Sequence, residues 1–385
     1  MKKLTYLLLV LAVLSASCQP ASTTKAPSPV ANTQTAEAYP LPTPVEEGTG
    51  SPATTEPYPA EATSVASMPV TSLTIMTHDS FAVSKGVIAA FEQQYNAKVQ
   101  ILTSGDAGAA LNKAILSKTH PLADVFYGVD NTFLGRALDE DIFEAYDSPQ
   151  LATIPAEFQL DPHKRALPVD YGDVCLNYDK AYFQELTPPA SLEDLLEPAY
   201  KSLLVVENPA TSSPGLAFLL ATVGHFGPDG YLAFWKGLKA NDVKVVDGWE
   251  TAYYTEFTRA GGTRPIVVSY SSSPAYEVQN PKDGSPTAAL VADGACFRQI
   301  EFVGILKGTQ NRDLAEKWVD FMLSTAFQED MPGQMYVFPV NPAAKLDELF
   351  TQFLVSPQEP AFVSLEEIAA NREKWIEAWT EVVLR

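Results

Sequence analysis

The chain has 385 residues, with 47 Asp and Glu against 26 Lys and Arg, a formal charge of −21. Binding to nucleic-acid phosphates needs a basic face, so this balance excludes nucleic acid as a partner. Three cysteines and four scattered histidines (His78, His120, His163 and His225), with no helical pairing or ligand spacing among them, exclude a metal site and leave each histidine as a surface or satisfied core residue.

In chain order, the first segment is a leader. Lys2 and Lys3 precede the apolar run "LTYLLLVLAVL" and small residues, so residues 1–17 read as a secretory signal peptide, too short for a comfortable membrane span. Cys18 follows "LSAS" directly and is predicted to be the acylated N-terminus of a lipoprotein, with plain cleavage as the alternative, since Ser15 stands where leucine is usual. Residues 18–70, rich in Pro, Ser, Thr and Ala, bury too little apolar surface to offset their ordering entropy and are predicted to be a disordered tether. The function then lies outside the cytoplasm, at a membrane contacted through the lipid anchor alone.

The remaining residues alternate strands with helices. "SLTIMTH", "AKVQILTSG" and "ADVFYGVD" read as strands, separated by "VSKGVIAAFEQQYN" and "AGAALNKAILSKT" and followed by "NTFLGRALDEDIF" as helices. This alternation predicts βαβ units and a largely parallel sheet. "RALPVDYGDVCLNYDKAYF" is a long extended segment suited to crossing into a second lobe. That lobe continues with strands "KSLLVVENP", "DVKVVDG" and "RPIVVSYS", and with helices starting at Pro214 and Glu250. "ACFRQIEFVGILKGT" is a strand that carries the chain back, before amphipathic helices "RDLAEKWVDFMLSTAFQEDM" and "SLEEIAANREKWIEAWTEVVL". The expected fold class is α/β: two lobes, each a mostly parallel sheet flanked by helices, with a cleft between them. Lobe 1 takes residues 71–170, lobe 2 residues 171–297, and residues 298–385 complete lobe 1 and pack at the hinge. Cys175 and Cys296 form a disulfide or remain two buried thiols; export favours the disulfide.

In open α/β sheets ligands sit beyond the carboxyl ends of the strands. The segments there are "THDSF", "SGDAG", "GVDN", "NPATSSPG", "DGWE" and "SYSSSPAY", rich in Asp, Ser, Gly and aromatics. Trp249, Tyr270 and Tyr276 stand where strands stop, which suits the rim of a ligand site better than a core. Ser213-Pro214 and Ser273-Pro274 are helix-start signals whose free amides suit an anion or a hydroxyl.

These residues carry a resemblance. "DSF", "AGAALNKAILSK", "ADVFYGVDN", "VDYG", "TSSPG", "VVSYSSSPAY" and "WVDFMLSTAFQEDMP" resemble segments of the thiamine-binding proteins of ABC importers, within the two-lobed periplasmic binding proteins that include ferric-ion and sulfate binders. The resemblance runs from about Leu73 to the C-terminus. It implies ligand contacts at Asp106, Ala107, Ser212, Ser213, Trp249, Tyr270, Ser271, Ser272 and Ser273, with Tyr276 as a further aromatic wall and Asp79 and Asp130 as second contacts. It also implies capture of thiamine or a thiamine phosphate by closure of the lobes, delivery to an ABC permease, no cofactor, no catalysis and a monomer. Thiamine is a flat cation, so aromatic faces and a carboxylate such as Asp106 suit it.

Three positions depart from the pattern: His78 where an aromatic residue is expected, Ala107 for glycine, and Tyr336 for tryptophan. Two rivals remain. A ferric-ion binder could use Tyr253 and Tyr254, although neighbours on a helix diverge and favour packing. An exported thiamine-degrading enzyme would need a cysteine nucleophile; Cys175 lies in an apolar strand, and no G-x-S-x-G, H-E-x-x-H or P-loop is present.

Overall fold

The structure, a computed structural model, describes residues 70–385. The predicted leader, the Cys18 anchor and the tether up to residue 69 lie outside the described residues.

The strands are β1 (Thr71–Thr77), β2 (Ala97–Thr103), β3 (Val125–Asp130), β4 (Phe143–Glu144), β5 (Leu167–Asp179), β6 (Leu204–Glu207), β7 (Lys244–Val246), β8 (Ile266–Tyr270), β9 (Thr287–Leu290), β10 (Phe297–Leu306) and β11 (Phe338–Pro339). The helices are α1 (Lys85–Tyr95), α2 (Ala107–Leu116), α3 (Leu134–Asp139), α4 (Ser213–Ala240), α5 (Trp249–Thr251), α6 (Ser273–Tyr276), α7 (Arg312–Met322), α8 (Thr325–Gln328), α9 (Met331–Met335), α10 (Glu348–Phe353) and α11 (Leu365–Val383).

All eleven strands join one mixed sheet, ordered β2-β1-β3-β10-β5-β8-β6-β7, with β4 added to β10 and with β9 and β11 added to β5. Two parallel trios, β2-β1-β3 and β8-β6-β7, stand at either end of this path. Between them run the two long strands β10 and β5, antiparallel to each other and to the trio each one meets. Every position of β3, β6 and β8 is buried, the pattern of strands covered on both faces. The extended segment and the return strand predicted from sequence are β5 and β10.

The disulfide joins Cys175 on β5 to Cys296 at the entry of β10, so it clamps the two crossing strands to each other. Helix α4 starts with Ser212 as N-cap and Pro214 in its first turn, as predicted, and bends at Gly227, whose φ of 74° precedes Pro228. The predicted helix over "RDLAEKWVDFMLSTAFQEDM" is two helices, α7 and α8, separated where the chain extends at Ser324 (ψ 154°), and its last residue opens α9. Helix α11 begins with a reciprocal capping box between Ser364 and Glu367, and packs Trp379 edge-on against Trp235 of α4 at 5.5 Å. The strands β4, β9 and β11 were not foreseen; two to four residues carry no readable periodicity.

Candidate ligand-binding site

A cavity lies at the carboxyl ends of the strands, where α/β sheets hold their ligands. Its walls come from the ends of both trios and from β10. His78 and Ser80 follow β1, Asp106 follows β2, and Ser213 and Pro214 open α4. Trp249, Glu250 and Tyr254 follow β7, Tyr270 ends β8, Glu301 lies on β10, and Gln334, Met335 and Tyr336 close the ring.

Asp106 is the joint of this assembly. One carboxylate oxygen accepts from the amides of Ala107 at 2.6 Å and Ser213 at 3.2 Å, and the other accepts from the amide of Trp249 at 3.0 Å. It therefore holds the starts of α2, α4 and α5 together. Burial raises its pKa, and the amide of Trp249, the Ser212 hydroxyl and the amide of Ala107 oppose that rise. The carboxylate expected to receive the ligand is thus occupied by the protein's own donors. The same holds for the open α4 amides expected from sequence: Ser213 N–H goes to Asp106 and Gly215 N–H to the Ser212 hydroxyl at 3.3 Å.

The aromatic walls are fixed by a chain of serines. The Trp249 indole N–H donates to the Ser269 hydroxyl at 3.0 Å, which lies 2.8 Å from the Ser273 hydroxyl. Ser273 in turn accepts the Tyr270 amide at 3.3 Å. The far face of Trp249 stacks on Tyr253 at 4.9 Å and 19°, and Tyr254 stands edge-on to it at 5.3 Å. Tyr336 adopts the left-handed region (φ 61°), uncommon for a residue with a side chain; its carbonyl accepts the Ser272 hydroxyl and its ring stacks on Tyr276 at 4.6 Å.

Of the predicted contacts, Asp106, Ser213, Trp249 and Tyr270 line the cavity. Ala107, Ser212, Ser271, Ser272, Ser273 and Tyr276 are buried or half-buried outside that lining. Asp79 is exposed beside the site, its amide bonded to the Gly105 carbonyl. Asp130 is buried on β3, takes bonds from Thr132 and Phe133, and is pushed by burial to a pKa of about 7.

Two sequence readings need correction. His78 is neither a surface nor a plain core residue: it is a wall of the cavity with Nε2 3.3 Å from Glu301. Tyr253 and Tyr254, on the π-helical turn Ala252–Glu256, do not share a packing role. Tyr253 is buried behind Trp249, bonded to Glu277, while Tyr254 faces the cavity. Glu250, Glu301 and Met335 were missed. Glu301 had a readable signal: Gln299 and Glu301 put polar side chains two apart on β10, hence on one face, with the apolar Ile300 between them.

Gly172 on β5 is required by close approach. A Cβ there would lie 2.6 Å from Cδ1 of the Tyr270 ring. Gly172→Ala is expected to push that ring into the cavity, cost about 1–3 kcal/mol of stability and weaken ligand binding. Paired melting and ligand titration check this, and an unchanged variant on both would contradict it.

Two parallel trios joined through antiparallel crossing strands, with an aromatic cavity at the strand ends, define an α/β solute-binding protein of the two-lobed class. A family model described as "Bacterial extracellular solute-binding protein" matches residues 120–360, and the chain belongs to that family. It is 32% identical over 318 residues to the thiamine-binding periplasmic protein of Salmonella typhimurium, covering 81% of this chain and 94% of that protein. It is 31% identical to the Escherichia coli protein of the same name, with 81% and 94% covered. A solved periplasmic thiamin binding protein superimposes with a TM-score of 0.72 at 29% identity, over 82% of this chain and 96% of the other.

Proposed function

We propose that this chain captures thiamine or a thiamine phosphate outside the cytoplasm and presents it to the permease of an ABC importer, without altering it. The observation that carries the reading is the cavity's chemistry: four aromatic rings (Trp249, Tyr254, Tyr270 and Tyr336) enclose it, and Asp106, Glu250 and Glu301 outnumber the lone basic lining residue, His78. A cation over an aromatic face gains about 0.5–2 kcal/mol, and a thiazolium with an attached flat pyrimidine offers both charge and a stacking surface. The names of the Salmonella and Escherichia proteins point the same way.

In this reading residues 71–170 with 298–385 form one lobe and residues 171–297 the other. Closure bends β5 and β10, the strands that join the two trios. The protein acts as a monomer held to the membrane through acylated Cys18. Cys175, engaged in the disulfide, offers no thiolate nucleophile for ligand degradation.

Iron capture is the rival with an observation behind it, since the Tyr254 and Tyr336 hydroxyls lie 3.4 Å apart at the cavity. Burial pushes the Tyr254 hydroxyl upward, against the tyrosinate a ferric site needs. Saturable quenching of tryptophan fluorescence by thiamine, with no tyrosinate absorption band on adding Fe(III), is expected. A strong band and no thiamine response would favour iron.

A further inference from the structure

The acids of the cavity differ in what they are free to do. Asp106 is consumed by backbone amides, and burial raises Glu250. Glu301 is buried in the middle of β10 and faces the cavity. Directly opposite it across the β5–β10 ladder sits Asp170, and the Tyr127 hydroxyl bridges the two, 2.6 Å from Asp170 and 3.0 Å from Glu301. Burial and the Glu301 charge push Asp170 well above the usual carboxylate range. Burial works against the Glu301 charge as well, but His78 and the bonds from Asp170 and Tyr127 outweigh it and hold its pKa low. Of the two, Glu301 is the one with a counter-charge at hand, His78 Nε2 at 3.3 Å.

The positive charge set against Glu301 is His78. Its ring packs on Tyr127 at 5.6 Å, and Gly128 (φ +105°) makes room for it: a Cβ there would lie 2.3 Å from the imidazole. Nε2 approaches Glu301 to 3.3 Å without the alignment of a hydrogen bond, so this buried nitrogen has no bonded partner. Every charged group facing the imidazole is acidic: Glu301 from β10, Asp106 ahead of α2, Glu250 from α5 and Asp79 beside it on the chain. Tyr127 from β3 completes its surroundings, with Asp170 of β5 behind.

We propose that Glu301, with His78 as its resident counter-charge, sets the specificity of this cavity for cations: the ligand takes the place of the imidazolium, whose proton leaves to solvent as the cation binds. The inference rests on the thiamine reading above and adds to it how the charge is selected. An imidazolium and a ligand cation against the same buried carboxylate repel each other, and the histidine can shed its charge where the thiazolium cannot. Burial opposes the His78 charge, but Glu301, Asp106 and Asp79 outweigh it and hold the imidazole above its ordinary 6.5. Affinity for a cation is therefore expected to rise with pH through the titration of His78 and to level off once it is neutral, by up to about tenfold per pH unit.

Thiamine titrations of the purified full chain by calorimetry, in two buffers of different ionisation enthalpy and across pH 6–9, test this. The wild-type protein is expected to release protons on binding thiamine, most at the acid end of this range, with affinity climbing toward alkaline pH. H78Q is expected to lose that release and the pH dependence, whereas D130N, which removes the nearby acid titrating near 7, is expected to keep both; if H78Q does not fold, H78N stands in for it. Saturable thiamine binding with no proton release, or the same release in H78Q, overturns the inference and leaves the thiamine reading standing. No thiamine binding at any pH overturns both.

Discussion

Replacing Trp249 by alanine is expected to weaken thiamine binding by roughly 30- to 1,000-fold, the loss of about 2–4 kcal/mol typical of a central aromatic anchor. The indole is positioned three times over: its amide is held by Asp106, its ring N–H by Ser269, and one face by Tyr253. So little side-chain freedom is left that ligand contact costs almost no ordering entropy. Truncation removes the ring face and also opens a gap that Tyr253 and Tyr254 do not fill. Trp249→Phe keeps an aromatic face and is expected to retain most of the affinity. Melting of both variants without ligand separates a folding defect from a site defect. An alanine variant that binds within threefold of wild type would show that the aromatic walls are packing and nothing more.

The second large effect is on stability. Cys175→Ala with Cys296→Ala is expected to lose about 2–5 kcal/mol, seen as a melting temperature lower by roughly 5–10 °C. The disulfide closes a loop of 121 residues, so its removal frees a long stretch of the unfolded chain. Both sulfurs are buried at the junction of β5 and β10, and packing there offsets only part of the loss. A double variant that melts within 1 °C of the parent would mean that the crossing strands are held by their ladder alone.

Much of the architecture was readable from the order of residues. The βαβ alternation, the long crossing segment that became β5 and the return strand β10 all follow from hydrophobic period and segment length. The site was readable in outline, because strand-end composition marks where a cavity lies. What each residue does there was harder to read. Asp106 carries no sequence mark that amides from α2, α4 and α5 converge on it. Ser273, expected as a ligand contact, forms with Ser269 the chain that fixes Trp249 and Tyr270. Tyr254 was read as packing like Tyr253, although the divergence of helix neighbours already let one be buried and the other face the cavity. His78 and Glu301 lie far apart in sequence and meet only because β1, β3 and β10 are neighbours in the sheet.

The most direct test is calorimetric titration of the folded, ligand-free full chain with thiamine, thiamine monophosphate and thiamine diphosphate. A single saturable exothermic site for at least thiamine is the predicted result, and the order of the three ranks the natural cargo. Absence of heat with all three, from protein shown to be folded, would contradict the account and leave the cavity to another flat cation or to Fe(III).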